Sequence, residues 1–393
     1  MSDIIKVDWN SEAWEQALLQ RRDVGRVGRG GDWVFYTPGR LLVDSAAAKD
    51  PRVQEELKRN SAVECAEPAA EIAATLGLTL FTIPDNLLVE TIRTLRALVP
   101  NSASLEHIWA PGPNSFHGDD VPKPTPDPTD IPGTKAHTRP EKPLAIYVLD
   151  TGIAPTVPFD HESDGDDEEI PDEDGDANRD PAAGHGTHVA GIIARGAPDA
   201  RIVVRRLLTS PVGMASELDT VNALQNALDG GANLINCSFG GTTLFDAPPL
   251  ATERALAQLP AEVVVVAAAG NDGTERPHYP AASKRVISVG AVGREKGSEE
   301  WQQVDFSSWG WWVDCCAPGV DIPSTFLCWD GGDDEPVFDG FATWSGTSFA
   351  APAVTAAIAS YAMARGIEPS LAAWYLVENP ALDRVGSVGT LVV

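Results

Sequence analysis

Basic charge is scarce in this chain. Its 393 residues carry 29 Lys and Arg against 57 Asp and Glu, a formal net charge of −28. So acidic a protein repels phosphate backbones and anionic lipid surfaces, so neither nucleic acid nor a membrane is an expected partner. No run reaches the ~18 consecutive apolar residues that a membrane-spanning helix needs. The first residues, MSDIIKVDWNSEAWEQALLQ, hold no basic segment followed by an apolar one, so no secretory signal is read there. The expected location is the cytoplasm, with leaderless export as the alternative. Cysteine is sparse as well. Cys65, Cys237, Cys315, Cys316 and Cys328 form an odd, irregularly spaced set. That is neither a disulfide framework nor a CxxC metal pattern. Adjacent Cys315 and Cys316 point to opposite faces of a strand, so at most one easily meets Cys328. Free buried thiols are the expected state.

What is present organises into two parts. The length suggests two or three domains, and 43% hydrophobic residues suffice for a sizeable core. The segment HGDDVPKPTPDPTDIPGTKAHTRPEKP is rich in proline and charge, has no apolar periodicity, and reads as an exposed linker. The expected division is a small α+β domain over 1–116, a linker over 117–143 and a larger domain over 144–393. In the first part, DWVFYTPGRLLVD shows two apolar runs around a Pro-Gly turn. DPRVQEELKRN reads as a helix with Asp50 as N-cap and Pro51 in first position, and DNLLVETIRTLRAL as a helix capped by Asp85. With LTLFTIP and SASLEHIWAP as strands, and a middle strand near AVECAEPAA, the pattern is β-α-β-β-α-β. In the second part, LAIYVLD, ARIVVRRLL, ANLINCSF, EVVVVAAAGN, RVISVGAV and WVDCCAPG are short, nearly continuous apolar runs. Such runs suit parallel strands buried on both faces. SELDTVNALQNAL and ATERALAQL, between them, read as helices. The fold class is α/β, a doubly wound, mainly parallel sheet, whose functional groups gather at the strands' carboxyl ends.

Four residues occupy such positions. Asp150 ends LAIYVLD, where the alternative is a turn aspartate. His185 lies in GHGTHVAGIIARG, whose glycines allow close backbone approach. Its neighbour His188 permits shared metal ligation, but no HExxH pattern accompanies the pair, and one base plus one structural histidine is preferred. Asn271 closes VVVVAAAGN, where an amide can donate to a developing oxyanion, or simply serve a turn. Ser348 opens the apolar helix of SGTSFAAP, where free backbone N–H groups favour negative charge; the alternative is a plain N-cap. Each alternative is the better reading of its residue alone. Acid, base, amide and hydroxyl together, in one α/β unit, point instead to nucleophilic catalysis.

The blocks VLDTGI, GHGTHVAGIIA, NCSFGG, VVVAAAGN and SGTSFAAP closely resemble those of the subtilisin-like serine proteases. YPAASKRVISVGAV and DFSSWG…CCAPGV resemble the segments between the last two blocks. The resemblance runs from about Pro143 to the C-terminus. It implies a serine endopeptidase acting on polypeptides through an acyl-enzyme, with no cofactor for catalysis. Asp150 would orient the base His185, Ser348 would attack, and Asn271 would line the oxyanion hole. The sedolisins would carry aspartate at the oxyanion position and glutamate as the base; here those positions hold Asn271 and His185. Ser238, Phe239 and Gly240, with Ala268, Ala269 and Gly270, match the two walls of the pocket for P1, the residue before the scissile bond. Their small residues imply room for a broad, apolar-leaning P1, and Asp272 could admit basic residues at the rim. The N-terminal part resembles the inhibitory propeptide of such enzymes, which implies a self-inhibited zymogen cut within about Trp109 to Pro143. One departure is Ala353 after Pro352, where the family often has histidine.

The loop DHESDGDDEEIPDEDGDANRD, Asp160 to Asp180, holds 12 carboxylates and one arginine. Its DEDGDAN spacing hints at structural calcium, although Ala177 stands where an EF-hand needs glycine. A solvated loop is the preferred reading. Two rival functions remain: a catalytically silent peptide-binding module, and a protease whose N-terminal domain recruits a partner.

Overall fold

The computed structural model describes residues 21, 23–28, 33–111, 122–125, 143–209, 211–331, 336–379 and 381–392. The six apolar runs of the second part all become strands of one sheet. Its order is Thr390–Leu391, Cys315–Pro318, Val286–Gly293, Val264–Ala268, Leu234–Cys237, Ala145–Asp150, Arg201–Arg206. Neighbours along this path run parallel, and Gln302–Gln303 adds a short antiparallel pair beside Val286–Gly293. Ala145–Asp150 is buried at every position. Its Ile146 and Val148 enter the apolar cluster on one face, and Ala145, Tyr147 and Leu149 the cluster on the other. Burial on both faces is why the run is continuously apolar rather than alternating.

The helices His185–Gly196 and Thr347–Arg365 cover one face; Glu217–Asp229 and Leu250–Gln258 cover the other. Thr347–Arg365 is long and apolar enough to cross a membrane by composition, but here it is a core helix. Of its most apolar window, 67% is buried in the protein. It packs across the strands Leu234–Cys237, Val264–Ala268, Val286–Gly293 and Cys315–Pro318. This is the expected doubly wound α/β class. From Ala145–Asp150 the chain steps to Arg201–Arg206 on one side, then crosses to Leu234–Cys237 on the other. Connections that part in this way leave a crevice beyond the strands' carboxyl ends.

The N-terminal unit is an antiparallel sheet in the order Val63–Glu64, Leu78–Thr82, Val34–Asp44, Ala103–Trp109. One face carries the helices Pro51–Arg59 and Asp85–Leu98, whose Val53, Leu57, Leu88, Ile92 and Leu95 pack on Leu41, Val43 and Leu105. The other face lies on the second part: Leu42, Leu78 and Leu80 share an apolar cluster with Leu218, Val221 and Ala255. Asp50 caps its helix as expected, accepting from the Arg52 N–H at 2.8 Å.

Four expectations need correction. Pro38-Gly39 makes no turn, because Val34–Asp44 is one strand of 11 residues. Gly39 (φ +71) sits instead where the pairing to Ala103–Trp109 shifts register, so the glycine forms a bulge rather than a reversal. Asp85 does not cap its helix; it is the first helical residue, and its carboxylate accepts from the Gly39 N–H at 3.1 Å and the Tyr36 hydroxyl at 3.3 Å. The middle strand is only Val63–Glu64, and a helix over Pro68–Thr75 follows it, with Pro68 in first position. Within the expected linker, Lys123 and Pro124 pair with Thr343 and Ala342, a third strand on the hairpin Ile322–Trp329/Phe338–Trp344. The rest of 117–143, save 122, 125 and 143, lies outside the described residues.

Candidate active site

Asp150 ends its strand at the crevice and is fully buried. Its Oδ1 accepts from Nδ1 of His185 at 2.7 Å and from the Thr151 N–H at 2.8 Å. His185 is the first residue of its helix and only 2% exposed. Glycine beside it is a packing requirement: a Cβ on Gly186 would lie 2.3 Å from the Gly152 carbonyl oxygen. Any side chain there would drive the histidine away from the aspartate. The imidazole rests against Phe349 and edge-on to Trp344, with ring centroids 5.3 and 5.5 Å away. Its Nε2 is buried and has no hydrogen-bond partner among the described residues. An imidazole held by a carboxylate at one nitrogen and vacant at the other is set up to take a proton there.

Ser348 lies in the first turn of Thr347–Arg365, next to Phe349. Its Oγ is 3.1 Å from the Ser238 carbonyl and 3.3 Å from the Pro111 carbonyl, so the hydroxyl faces these acceptors rather than His185 in this state. Its own carbonyl has an unusual partner. Pro352, four residues on, has no N–H to give it, and the Ser238 hydroxyl donates instead at 2.8 Å. Asn236 donates to that hydroxyl at 2.9 Å, and its Oδ1 meets Thr355 at 2.9 Å. This buried chain ties the end of the Leu234–Cys237 strand to the serine's helix.

Asn271 follows the Val264–Ala268 strand. Its Oδ1 accepts from both the backbone N–H and the hydroxyl of Thr347, each at 2.8 Å. With its oxygen so occupied, the amide presents Nδ2 as its donor. The two expected walls flank this place. Ser238, Phe239 and Gly240 extend one strand, and Ala268, Ala269 and Gly270 the neighbouring one; all are buried. The room between them, however, is taken. A Cβ on Gly240 or on Gly270 would lie 2.6 Å from the ring of His278.

The crevice holds a segment of the N-terminal unit. The Ala103–Trp109 strand pairs antiparallel with Ala215–Ser216. Beyond it, Ala110 and Gly240 exchange two backbone hydrogen bonds, at 2.9 and 3.1 Å, and the Pro111 carbonyl reaches Ser348. Trp109 is fully buried, stacked on His107 at 5.5 Å and packed with Ala215, Leu218 and Phe239. The sequence marked this stretch as a strand. It carried no signal for Thr347, Asn236 or His278, whose roles exist only through contacts made across the fold.

His188 stands apart from this chemistry. Its Nε2 donates to the Ile322 carbonyl at 3.0 Å, and burial, then the neighbouring His185, push its pKa down to about 3. It is a neutral packing histidine, 4.7 Å from Phe349 between ring centroids. The five cysteines are all free; burial pushes the thiol of Cys316 up to about 12 and raises those of Cys237 and Cys315. Glu169 is buried under the site, accepts from the Thr187 hydroxyl at 3.1 Å, and has its pKa raised by that burial. In the acidic loop, ligand oxygens of Asp172, Asp174 and Asp176 lie within 4.8 Å of one another.

The model of the subtilase family matches residues 141–369. The chain belongs to the subtilase family. Among curated subtilases and related proteases, the thermophilic serine proteinase of Bacillus sp. strain AK1 is 36% identical over 220 residues, 52% of this chain and 48% of that protein. This chain thus spans about half the length of that relative. Thermitase of Thermoactinomyces vulgaris is 34% identical over 227 residues, 55% of this chain and 74% of thermitase. Among solved structures, fervidolysin from Fervidobacterium pennivorans, a keratinolytic enzyme related to subtilisin, aligns with a TM-score of 0.57 at 21% identity. That alignment covers 93% of this chain and 61% of fervidolysin, a likeness of fold.

Proposed function

We propose that this subtilase is a serine endopeptidase with Asp150, His185 and Ser348 as its triad. The observation that carries the reading is the buried 2.7 Å hydrogen bond from Nδ1 of His185 to Asp150, with Nε2 left vacant. In the reaction Ser348 Oγ attacks the carbonyl carbon of a peptide held against Gly240, and its proton passes to Nε2 of His185. Asp150 holds the tautomer and stabilises the imidazolium. The Ser348 N–H and Nδ2 of Asn271 receive the oxyanion. His185 then protonates the leaving amine, and water repeats the sequence on the acyl-enzyme. A fluorophosphonate labels Ser348 in the wild type and nothing in Ser348→Ala. Wild-type protein that resists the label supports the silent-module reading instead.

Residues 1–116 act on this reading as an intramolecular inhibitor. The segment from Ala103 to Pro111 supports it, since it lies where an extended substrate would pair. Purified Ser348→Ala remains full length, whereas the wild type is cut between about Trp109 and Pro143, by mass spectrometry. Normal processing of the alanine variant on its own excludes self-cleavage. An N-terminal fragment that stays bound to fully active enzyme favours a recruiting role.

The expected structural calcium has a donor set that fits it. Asp172, Asp174 and Asp176 offer hard carboxylate oxygens, and Ala177 adopts φ +69, the left-handed turn for which such loops usually use glycine. These three residues would hold the ion and contribute to stability; no catalytic step involves it.

A further inference from the structure

The two pocket walls are each glycine at the point where they face one another, and one side chain uses the space. A Cβ on Gly240 would lie 2.6 Å from both Cδ2 and Nε2 of His278. A Cβ on Gly270 would lie 2.6 Å from Nδ1 and 2.8 Å from Cγ of the same ring. His278 is only 2% exposed. Its backbone neighbour Tyr279 exchanges two hydrogen bonds with Gly241, each 2.8 Å, which pins the histidine to the first wall. Nδ1 has no hydrogen bond among the described residues, and Oδ2 of Asp272 lies 3.9 Å from it. Burial also pushes its pKa down to about 3, so the ring is neutral.

We infer that His278 determines specificity: it fills the depth of the P1 pocket and restricts cleavage to peptides with glycine or alanine at P1. This rests on the endopeptidase reading and narrows its apolar-leaning preference. The pocket is identified by contacts of this chain. The wall residue Gly240 pairs with Ala110, the Ser238 carbonyl touches Ser348 Oγ, and Gly270 donates its N–H to the Thr347 hydroxyl at 3.1 Å. A side chain next to the reacting carbonyl must enter between these walls, and a branched or aromatic one meets the imidazole.

The test uses the full chain and a peptide series that differs only at P1: Gly, Ala, Leu and Phe. The wild type cleaves after Ala with kcat/KM on the order of 100-fold above Phe, the scale on which a packed pocket rejects added carbon. In His278→Ala the Phe-to-Ala ratio rises at least about tenfold. His278→Ser, with a second small polar side chain, shifts it the same way. Wild-type preference for Leu or Phe overturns the inference, and needs no variant that must fold. So does an unchanged ratio in both folded variants. Fluorophosphonate labelling separates the two levels. A labelled enzyme without the small-residue preference sinks the specificity assignment alone, while failure of both labelling and cleavage sinks the endopeptidase reading and this inference with it.

Discussion

Pro352 interrupts the backbone ladder of the serine's helix at one point, and that point is the carbonyl of Ser348. The vacancy lets Ser238, just past the Leu234–Cys237 strand, grip the carbonyl of Ser348 at 2.8 Å. Ser238→Ala leaves that buried carbonyl and the Asn236 amide without their partner, which costs about 1–3 kcal/mol of folding stability, measured by denaturant unfolding. An unfolding midpoint equal to wild type would show that the hydroxyl does not hold the helix. On the proposed mechanism, Asn271→Ala removes the oxyanion donor while Thr347 keeps the loop in place. We expect kcat to fall roughly 10²–10³-fold with KM little changed, a magnitude established in subtilisin, itself a member of this family. Equal loss in KM would mark Asn271 as a ground-state contact. Asp150, His185, Asn271 and Ser348 were legible in the sequence because each sits in a short motif at a strand end or a helix start. Ser238 was read only as a pocket wall, because its bond to Ser348 crosses 110 positions.

The strand Ala103–Trp109 is the element on which the N-terminal unit docks. Its Glu106 is 3% exposed, with one carboxylate oxygen unpaired. Burial raises its pKa from 4.5 to about 7, opposed by Arg40 and a Ser216 hydrogen bond and reinforced by Glu217 and Asp219. A group whose pKa is raised on docking binds its proton more tightly when docked. Docking is therefore strongest below about pH 4.5 and weakens as pH rises to about 7, where the docked carboxyl also ionises. The whole swing is roughly 3 kcal/mol, from 1.36 kcal/mol per unit. Dissociation of the cut N-terminal fragment, followed by recovered peptidase activity from pH 5 to 8, should rise with pH and flatten in Glu106→Gln. A flat wild-type profile rejects this. The neighbouring His107 meets Glu217 at 3.0 Å, and Glu217 also takes the N–H groups of Ala251 and Thr252 at 2.8 and 2.9 Å. None of this was readable from SASLEHIWAP, which shows a strand but not the surface it joins.

At the scale of the whole molecule, the acid excess is dense in the loop Asp160 to Asp180, with 12 carboxylates and one arginine. On the proposed calcium binding, added calcium at a hundred times Kd should raise stability by about 2.7 kcal/mol, seen as a higher Tm that EDTA reverses. Asp174→Asn reduces the gain. A Tm indifferent to calcium and EDTA would remove the ion from the account. The doubly wound class was legible because its strands, buried on both faces, have no choice but to be apolar throughout. The Pro38-Gly39 bulge was not, because the same dipeptide serves a turn or a bulge, and the choice lies with pairing to a strand some sixty-five residues later. By itself, then, the sequence determined the sheet, the helices that cover it, and the four polar residues at their ends, since local periodicity and motif carry that information. Tertiary structure alone decided which hydroxyl holds Ser348, what occupies the crevice, and that His278 stands between the two glycine walls. Those depend on distances between segments far apart along the chain, which no local pattern encodes.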